Sequence, residues 1–163
     1  MIYPVNEWHK FDGDIVFPWY THPSLDWIVN NIPKDVTVLE LGGGDSSAWW
    51  KRNSSNLVSV DCHEETAKAI NGVYVEPDKV DKWVKEHNEE YDVVIVDGGG
   101  DRNEYVLSSF DKCKKYFIVD NWQQEDVCWY HDYIVDELKN NSKSMLVFKQ
   151  ENHPHWKTAI FIK

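Results

Sequence analysis

The feature that most constrains this chain is a series of apolar, β-rich runs that finish on or beside an acid. Leu57-Val58-Ser59-Val60-Asp61, Tyr91-Asp92-Val93-Val94-Ile95-Val96-Asp97 and Tyr116-Phe117-Ile118-Val119-Asp120 are of this kind. Val36-Thr37-Val38-Leu39-Glu40-Leu41 carries its acid one residue from the end, and Gly72-Val73-Tyr74-Val75 is a shorter run. A strand covered by helices on both faces has no solvent side, so it reads as near-continuous apolar sequence. Helix-like stretches lie between the runs: Ser46 to Arg52, His63 to Ile70, Asp78 to Asn88 and Arg102 to Lys114. Asp78 is placed to cap its helix, and Pro23 to Val29 reads as a helix start with Ser24 as the cap. Such alternation predicts parallel strands joined by right-handed helical crossovers.

The C-terminal part breaks the pattern. After a predicted helix from about Gln123 to Leu138 come two strand-like segments, Ser144 to Lys149 and Lys157 to Ile162. The loop between them, Gln150 to Trp156, is too short for a helical crossover, so the two are expected to pair as an antiparallel hairpin. The fold class is therefore α/β: a three-layer Rossmann-like fold whose mostly parallel sheet ends in an antiparallel β-hairpin. At 163 residues the chain fits one domain spanning 1–163, with residues 1–35 as an aromatic and helical N-terminal segment.

Composition narrows the partners. A formal net charge of −11 opposes non-specific nucleic-acid binding, which needs clustered Lys and Arg. Lys112-Cys113-Lys114-Lys115 is the one compact basic patch, read as a solvated helix end. No apolar run approaches a membrane span, and the N-terminus lacks the pattern of a secretion signal. Cys62, Cys113 and Cys128 are odd in number and without metal-ligand spacing, so a reducing, cytoplasmic setting is expected.

The chemistry sits where strands end. Glu40-Leu41-Gly42-Gly43-Gly44-Asp45-Ser46-Ser47 runs from a strand through a glycine turn into a helix. Glycines let the backbone turn sharply and approach a ligand. Ser47 stands where the dinucleotide-binding pattern has its third glycine, and a carboxylate at Glu40 suits an ammonium better than a phosphate. Asp61 follows about 20 residues after the loop, where an acid accepts hydrogen bonds from ribose hydroxyls; capping the next helix is its other reading.

These segments, with Tyr91 to Gly98, resemble motifs I, II and IV of the class I S-adenosylmethionine-dependent methyltransferases, over about Pro18 to the C-terminus. The resemblance implies methyl transfer and that cofactor. Glu40 and the Gly42, Gly43 and Gly44 loop, with Ser47, would face its methionine part. Asp61 would hold the ribose, Cys62 and His63 would flank the adenine, and Pro18 to Thr21 would lie near the mouth. Asp97 and Asp120-Asn121 converge at the ends of adjacent strands, with a spacing similar to the metal site of catechol-type and caffeoyl-CoA-type O-methyltransferases. Mg²⁺ on Asp97, Asp120 and Asn121 is one reading. The other, preferred, is metal-free, with Asp97 orienting cofactor or substrate and Asp120-Asn121 capping a helix or binding substrate. The sequence departs from those enzymes in Gly98-Gly99-Gly100, in lacking a nearby lysine base and in lacking their N-terminal helical region.

In-line displacement needs little beyond positioning, and Asp97 and Asp120 are the candidate bases. Arg102 is a candidate substrate anchor, or else an exposed arginine at a helix start; Trp122 is a further substrate candidate. His131 is expected at the surface or packed, and His153 to Trp156 in the final hairpin loop. Little chain remains for a substrate cap, so the site is expected to be shallow, completed by another subunit of a homo-oligomer, or open to a larger acceptor. Small-molecule, sugar or protein acceptors are expected rather than nucleic acid. The rival readings are a non-catalytic binding or scaffold protein and a nucleotide- or NAD-binding oxidoreductase.

Overall fold

Seven strands form one mixed sheet in a computed structural model that describes residues 18–123 and 130–163. The parallel strands are β1 (Thr37–Leu41), β2 (Asn56–Asp61), β3 (Val73–Tyr74), β4 (Tyr91–Val96) and β5 (Cys113–Asp120). Strands β6 (Ser144–Gln150) and β7 (His153–Ile162) follow, and the order across the sheet is β3-β2-β1-β4-β5-β7-β6. Strand β7 slots antiparallel between β5 and β6, pairing Phe117 with Phe161 and Asp120 with Thr158. The helices are α1 (His22–Asn31), α2 (Asp45–Asn53), α3 (Glu64–Ile70), α4 (Val80–Glu86), α5 (Arg102–Ser109) and α6 (Asp132–Asn140). Among the described residues no helix is long and apolar enough to cross a membrane.

The continuous apolar runs arise because both sheet faces are covered. Val38, Val93, Ile95, Ile118 and Ile160 pack on one side with Leu25 and Ile28 of α1 and Trp50 of α2. Leu39, Val94, Val96, Phe117 and Phe161 pack on the other with Val84 of α4, Val106 of α5, and Ile134 and Leu138 of α6. Alternate residues of each strand thus serve opposite cores. Tyr91 shares a side with Val94 despite odd spacing, at the point where the ladder with β5 shifts register between Tyr91 and Val93.

Tertiary pairing moves several boundaries. The helix expected to run to Lys114 stops at Ser109, turns once as a 3₁₀ helix over Phe110–Lys112, and yields Cys113 to the ladder opposite Tyr91. The basic patch is therefore a turn and a strand start. Helix α6 begins at Asp132 rather than near Gln123: Asn121 and Gln123 have φ of 53° and 42°, which a right-handed helix does not accept. The rest of that expected helix, residues 124–129 with Cys128, and the segment 1–17 lie outside the described residues. Helix α1 starts at His22, with Thr21 before it, and Ser24 lies inside, its hydroxyl donating back to the Thr21 carbonyl at 2.7 Å. Asp78 sits within a 3₁₀ turn, Pro77–Lys79, rather than capping α4.

The hairpin is tighter than expected. His153 already pairs with Gln150, residues 154–156 bulge out of the ladder, and pairing resumes at Lys157 opposite Lys149. His153 to Trp156 thus belong to a strand with a bulge, which re-aims side chains. Phe117 is fully buried and meets Phe110 edge-on, with ring centroids 5.1 Å apart. We expect Phe117→Ala to lower unfolding free energy by about 3–5 kcal/mol in urea denaturation; a loss under about 1 kcal/mol would contradict this core assignment.

Candidate functional site

The chain turns at Gly42 with φ of 97° after β1, and at Gly98 with φ of 71° after β4. The two turns touch through their backbones. A Cβ on Gly42 would run into the Asp97 carbonyl, and one on Gly98 would lie 2.5 Å from the Gly42 Cα. The Gly42 N–H donates to Val60 O at 2.8 Å and the Asp97 N–H to Leu41 O at 2.9 Å, so the ladder continues into the turns. A Cβ on Gly43 would strike Ile70 and lie 2.5 Å from the Ser59 hydroxyl. Gly44 differs: a Cβ there meets nothing within 4 Å, so the fold's own packing does not require it.

Glu40 lies beneath this loop, fully buried. Strand register sets it beside Ser59 of β2. The hydroxyls of Ser46 and Ser47 donate to its two oxygens at 2.5 Å each, and Ser59 donates at 2.7 Å. Ser47 also accepts the Gly44 N–H at 3.0 Å, which ties the glycine turn to the first turn of α2. Burial raises the Glu40 pKa to about 7, against the pull of the three hydroxyls. Glu40 therefore meets the cleft through Ser46, which lines it, rather than with its own carboxylate.

Arg102, at the start of α5, is 6% exposed. Its Nε donates to Gly98 O at 2.8 Å, its Nη1 to Asp120 O at 2.8 Å, and its Nη2 lies 3.4 Å from Asp97 Oδ1. It is not the exposed residue of one expectation: the guanidinium joins the ends of β4 and β5. Asp97 also accepts the Gly98 N–H at 2.7 Å, and Asp120 accepts the Thr158 hydroxyl at 2.7 Å. Burial holds both carboxyls above the ordinary range; Asp97 adds to the rise at Asp120, while Arg102 opposes it at both. The pair resists double ionisation. Mg²⁺ asks for ionised oxygens with room for several waters. Asp97 Oδ1 already faces the Gly98 N–H and the Arg102 guanidinium, and Asp120 Oδ1 takes the Thr158 hydroxyl, so this arrangement lends no support to Mg²⁺ on Asp97, Asp120 and Asn121. Trp122 is corrected too. It is 4% exposed, stacks on Tyr130 at 5.3 Å and meets Phe161 at 5.2 Å, so it is core.

Asp61 ends β2, largely buried. Its Oδ1 accepts the His63 N–H at 2.7 Å and lies 3.1 Å from His63 Nδ1. Cys62 Sγ is 3.6 Å from the same ring nitrogen, and burial raises its thiol pKa. Among the described residues this is the one trio of His, Cys, Asp or Glu with ligand atoms within 4.8 Å of one another. Its three members are consecutive and already bonded in a turn. His131 is exposed and stacks on Tyr133 at 5.6 Å.

A cleft of about 720 Å³ lies over the carboxyl ends of β1, β4 and β5. The glycine turn, Asp45 and Ser46 form one wall; Asp97, Gly98, Asp120 and Asn121 form the floor and far side; Trp19 and Trp156 flank it. In an open α/β sheet the ligand crevice forms where successive crossovers lead to opposite sides, here between β1 and β4. Asp61 lies one strand away, and the Gly99 loop and the His63 ring face each other there, 3.8 Å from a Cβ built on Gly99. Trp19 stands near the mouth, but Tyr20 is core, its hydroxyl accepting from Trp50 Nε1 at 3.2 Å. Sequence reasoning passed over Asp45, Ser59 and Thr158. The register of Glu40 with Ser59 could have flagged the second, since parallel pairing puts them side by side. Thr158 had no sequence signal, because its partner lies 38 residues away.

No family model matches the chain, and no curated protein matches it by sequence. Solved structures match its fold. Magnesium protoporphyrin IX methyltransferase from Synechocystis, with bound SAM, gives a TM-score of 0.60 at 12% identity, over 86% of this chain and 76% of that one. The O-methyltransferase TomG from Streptomyces achromogenes, in complex with SAM, gives 0.57 at 17% identity, over 80% and 74%. Spermidine synthase from Thermotoga maritima gives 0.56 at 16% identity over 80% of this chain; the chain spans 54% of that protein's length. The chain has the Rossmann-like fold of class I S-adenosylmethionine-dependent methyltransferases and of spermidine synthase.

Two outcomes are expected. Arg102→Gln leaves Asp97 and the buried Asp120 without their cation, so stability should fall by about 3–5 kcal/mol at pH 8 and by less at pH 5, well below the value of about 8 to which burial pushes Asp120. Equal losses at both would refute the brace. Glu40 binds a proton in the folded state that the unfolded chain releases, so its contribution falls as pH rises from 4.5 to about 7. Denaturation of Glu40→Gln at steps across that range should show a flatter stability profile than the parent; an unchanged slope would sink the assignment.

Proposed function

We propose that this chain binds S-adenosylmethionine across the carboxyl ends of β1, β2 and β4 and is a methyltransferase for a small acceptor. The observation that carries the reading is the crevice at the crossover point. Two glycine turns close against each other there, an acid ends the neighbouring strand, and Gly44 is bare toward open space. The similar fold of enzymes solved with that ligand supports it. The antiparallel β7 and Ser47 in the place of a third glycine speak against a pyrophosphate-binding dehydrogenase.

S-adenosylmethionine supplies an activated methyl group on a sulfonium. In this reading the Gly42 to Gly44 turn approaches its methionine part, with Ser46 relaying the buried Glu40. Asp61 accepts from the ribose hydroxyls, and its Oδ1 is already oriented by the His63 N–H. Cys62 and His63 flank the adenine. Asp97 shapes the floor beside Gly98, and Asp120 is the carboxyl placed to take a proton from the acceptor, its basicity raised by burial. Arg102 positions both acids without touching ligand.

Calorimetry with S-adenosylmethionine, S-adenosylhomocysteine and NAD⁺ tests this. The first two should bind and NAD⁺ should not. Asp61→Ala should weaken S-adenosylhomocysteine by roughly tenfold or more, as expected for losing a hydrogen bond to a charged group. Undiminished affinity in that variant would remove Asp61 from the site, and no binding of either sulfur ligand would overturn the proposal.

A further inference from the structure

We infer that the edge strand β6 pairs antiparallel with the β6 of a second copy of this chain, so that the two sheets continue as one. The inference is independent of the methyl-transfer reading. The sheet has an edge on each side. Strand β3 at one edge has two residues, whereas β6 at the other has seven, and among the described residues nothing pairs with its outer side. An edge of that length presents a row of open backbone donors and acceptors, which folded chains blunt with Pro, charge or a covering segment. Here the middle of the edge is instead Met145-Leu146-Val147-Phe148, four apolar residues in a row, three of them half-buried and Val147 39% exposed. Lys149 is the one charged residue within the strand.

The backbone points the right way for this pairing. The Lys163 N–H donates to Lys115 O and the Trp122 N–H to Lys157 O, so the odd-numbered residues of β7 bond toward β5. Their even-numbered neighbours turn to β6 and engage Ser144, Leu146 and Phe148. Met145, Val147 and Lys149 therefore direct amide and carbonyl outward. A two-fold axis at Val147 overlaps the whole strand and sets Val147 against itself, as a self-complementary interface requires. In that register Leu146 faces the second copy's Phe148 on the α1 side, where the Trp27 ring lies 6.3 Å from that of Phe148. On the other face Met145 meets the second copy's Lys149, whose stem covers apolar surface while its ammonium reaches water. Just beyond the strand, the exposed Lys143 meets the second copy's exposed Glu151, so opposite charges close both ends. An axis at Leu146 would instead set Lys143 against Lys149 twice, and like charges directly opposite destabilise a pair of strands.

Sedimentation velocity of the whole chain over a concentration series, at about 0.15 M salt to screen its net negative charge, tests the pairing. The chain should dimerise with a Kd of about 10 µM or tighter. Hydrogen exchange at the Met145, Val147 and Lys149 amides should slow as the dimer forms. Val147→Lys brings two ammonium groups together at the axis and should weaken association at least about tenfold. Glu151→Lys should weaken it too, and adding Lys143→Glu to that variant should restore it. Val147→Pro removes an outward donor that β7 does not use, so it should abolish the dimer while circular dichroism stays that of the parent. If the proline variant does not fold, the charge-swap pair decides. A monomer throughout the series overturns the inference. A dimer that Val147→Lys and Glu151→Lys leave intact, or one that forms without slowing those three amides, overturns it equally.

Discussion

One buried guanidinium holds the working end of this sheet together. Arg102 reaches the backbone of Gly98 after β4, the backbone of Asp120 at the end of β5, and the carboxylate of Asp97 between them. Burying a charge is costly unless its donors and acceptors are matched. Here three acceptors meet one planar donor set, and the acids gain the counter-charge that lets them sit side by side out of water. Thr158 completes the arrangement from β7, donating to Asp120 and accepting the Thr21 N–H at 3.0 Å. The start of α1, the last strand and the carboxylate floor are thereby linked.

The glycine turns depend on the same closeness. Gly42 and Gly98 stand in backbone contact because β1 and β4 are adjacent and their ladder runs on into the turns. Any side chain there would push the strand ends apart. The serine cradle around Glu40 then fixes the loop to α2 and β2. Three hydroxyls replace the water that a carboxylate loses on burial, but they do not replace it fully, which is why the group stays more basic than an exposed glutamate. The cleft so formed has an acidic floor on a rigid frame, flanked by two indoles, one of them held by its own hydrogen bond to Asp45.

Much of the fold was legible in the chain, because double-sided burial writes itself as apolar runs of fixed length. Every strand was placed, and the antiparallel closing pair followed from the short gap before Lys157. The errors cluster where local signals competed with long-range pairing. Arg102 to Lys114 reads as one helix, yet Cys113 gains a ladder partner in Tyr91 and leaves it. Gln123 reads as helical, but left-handed backbone at Asn121 and Gln123 ends the strand abruptly. Trp122 resembles a substrate contact beside Asp120; its neighbours Tyr130 and Phe161 make it core.

The sequence by itself determined the layer order, the strand ends and which acids stand at them. Those follow from periodicity and from glycines that a sharp turn requires. Only the tertiary structure decided what each acid faces. Glu40 turned inward to serines, Asp97 and Asp120 took an arginine where an ion was one expectation, and Asp45 met an indole at the rim. The reason is physical: a charged side chain is positioned by the partners that replace its water, and those partners come from strands and loops far apart in the chain.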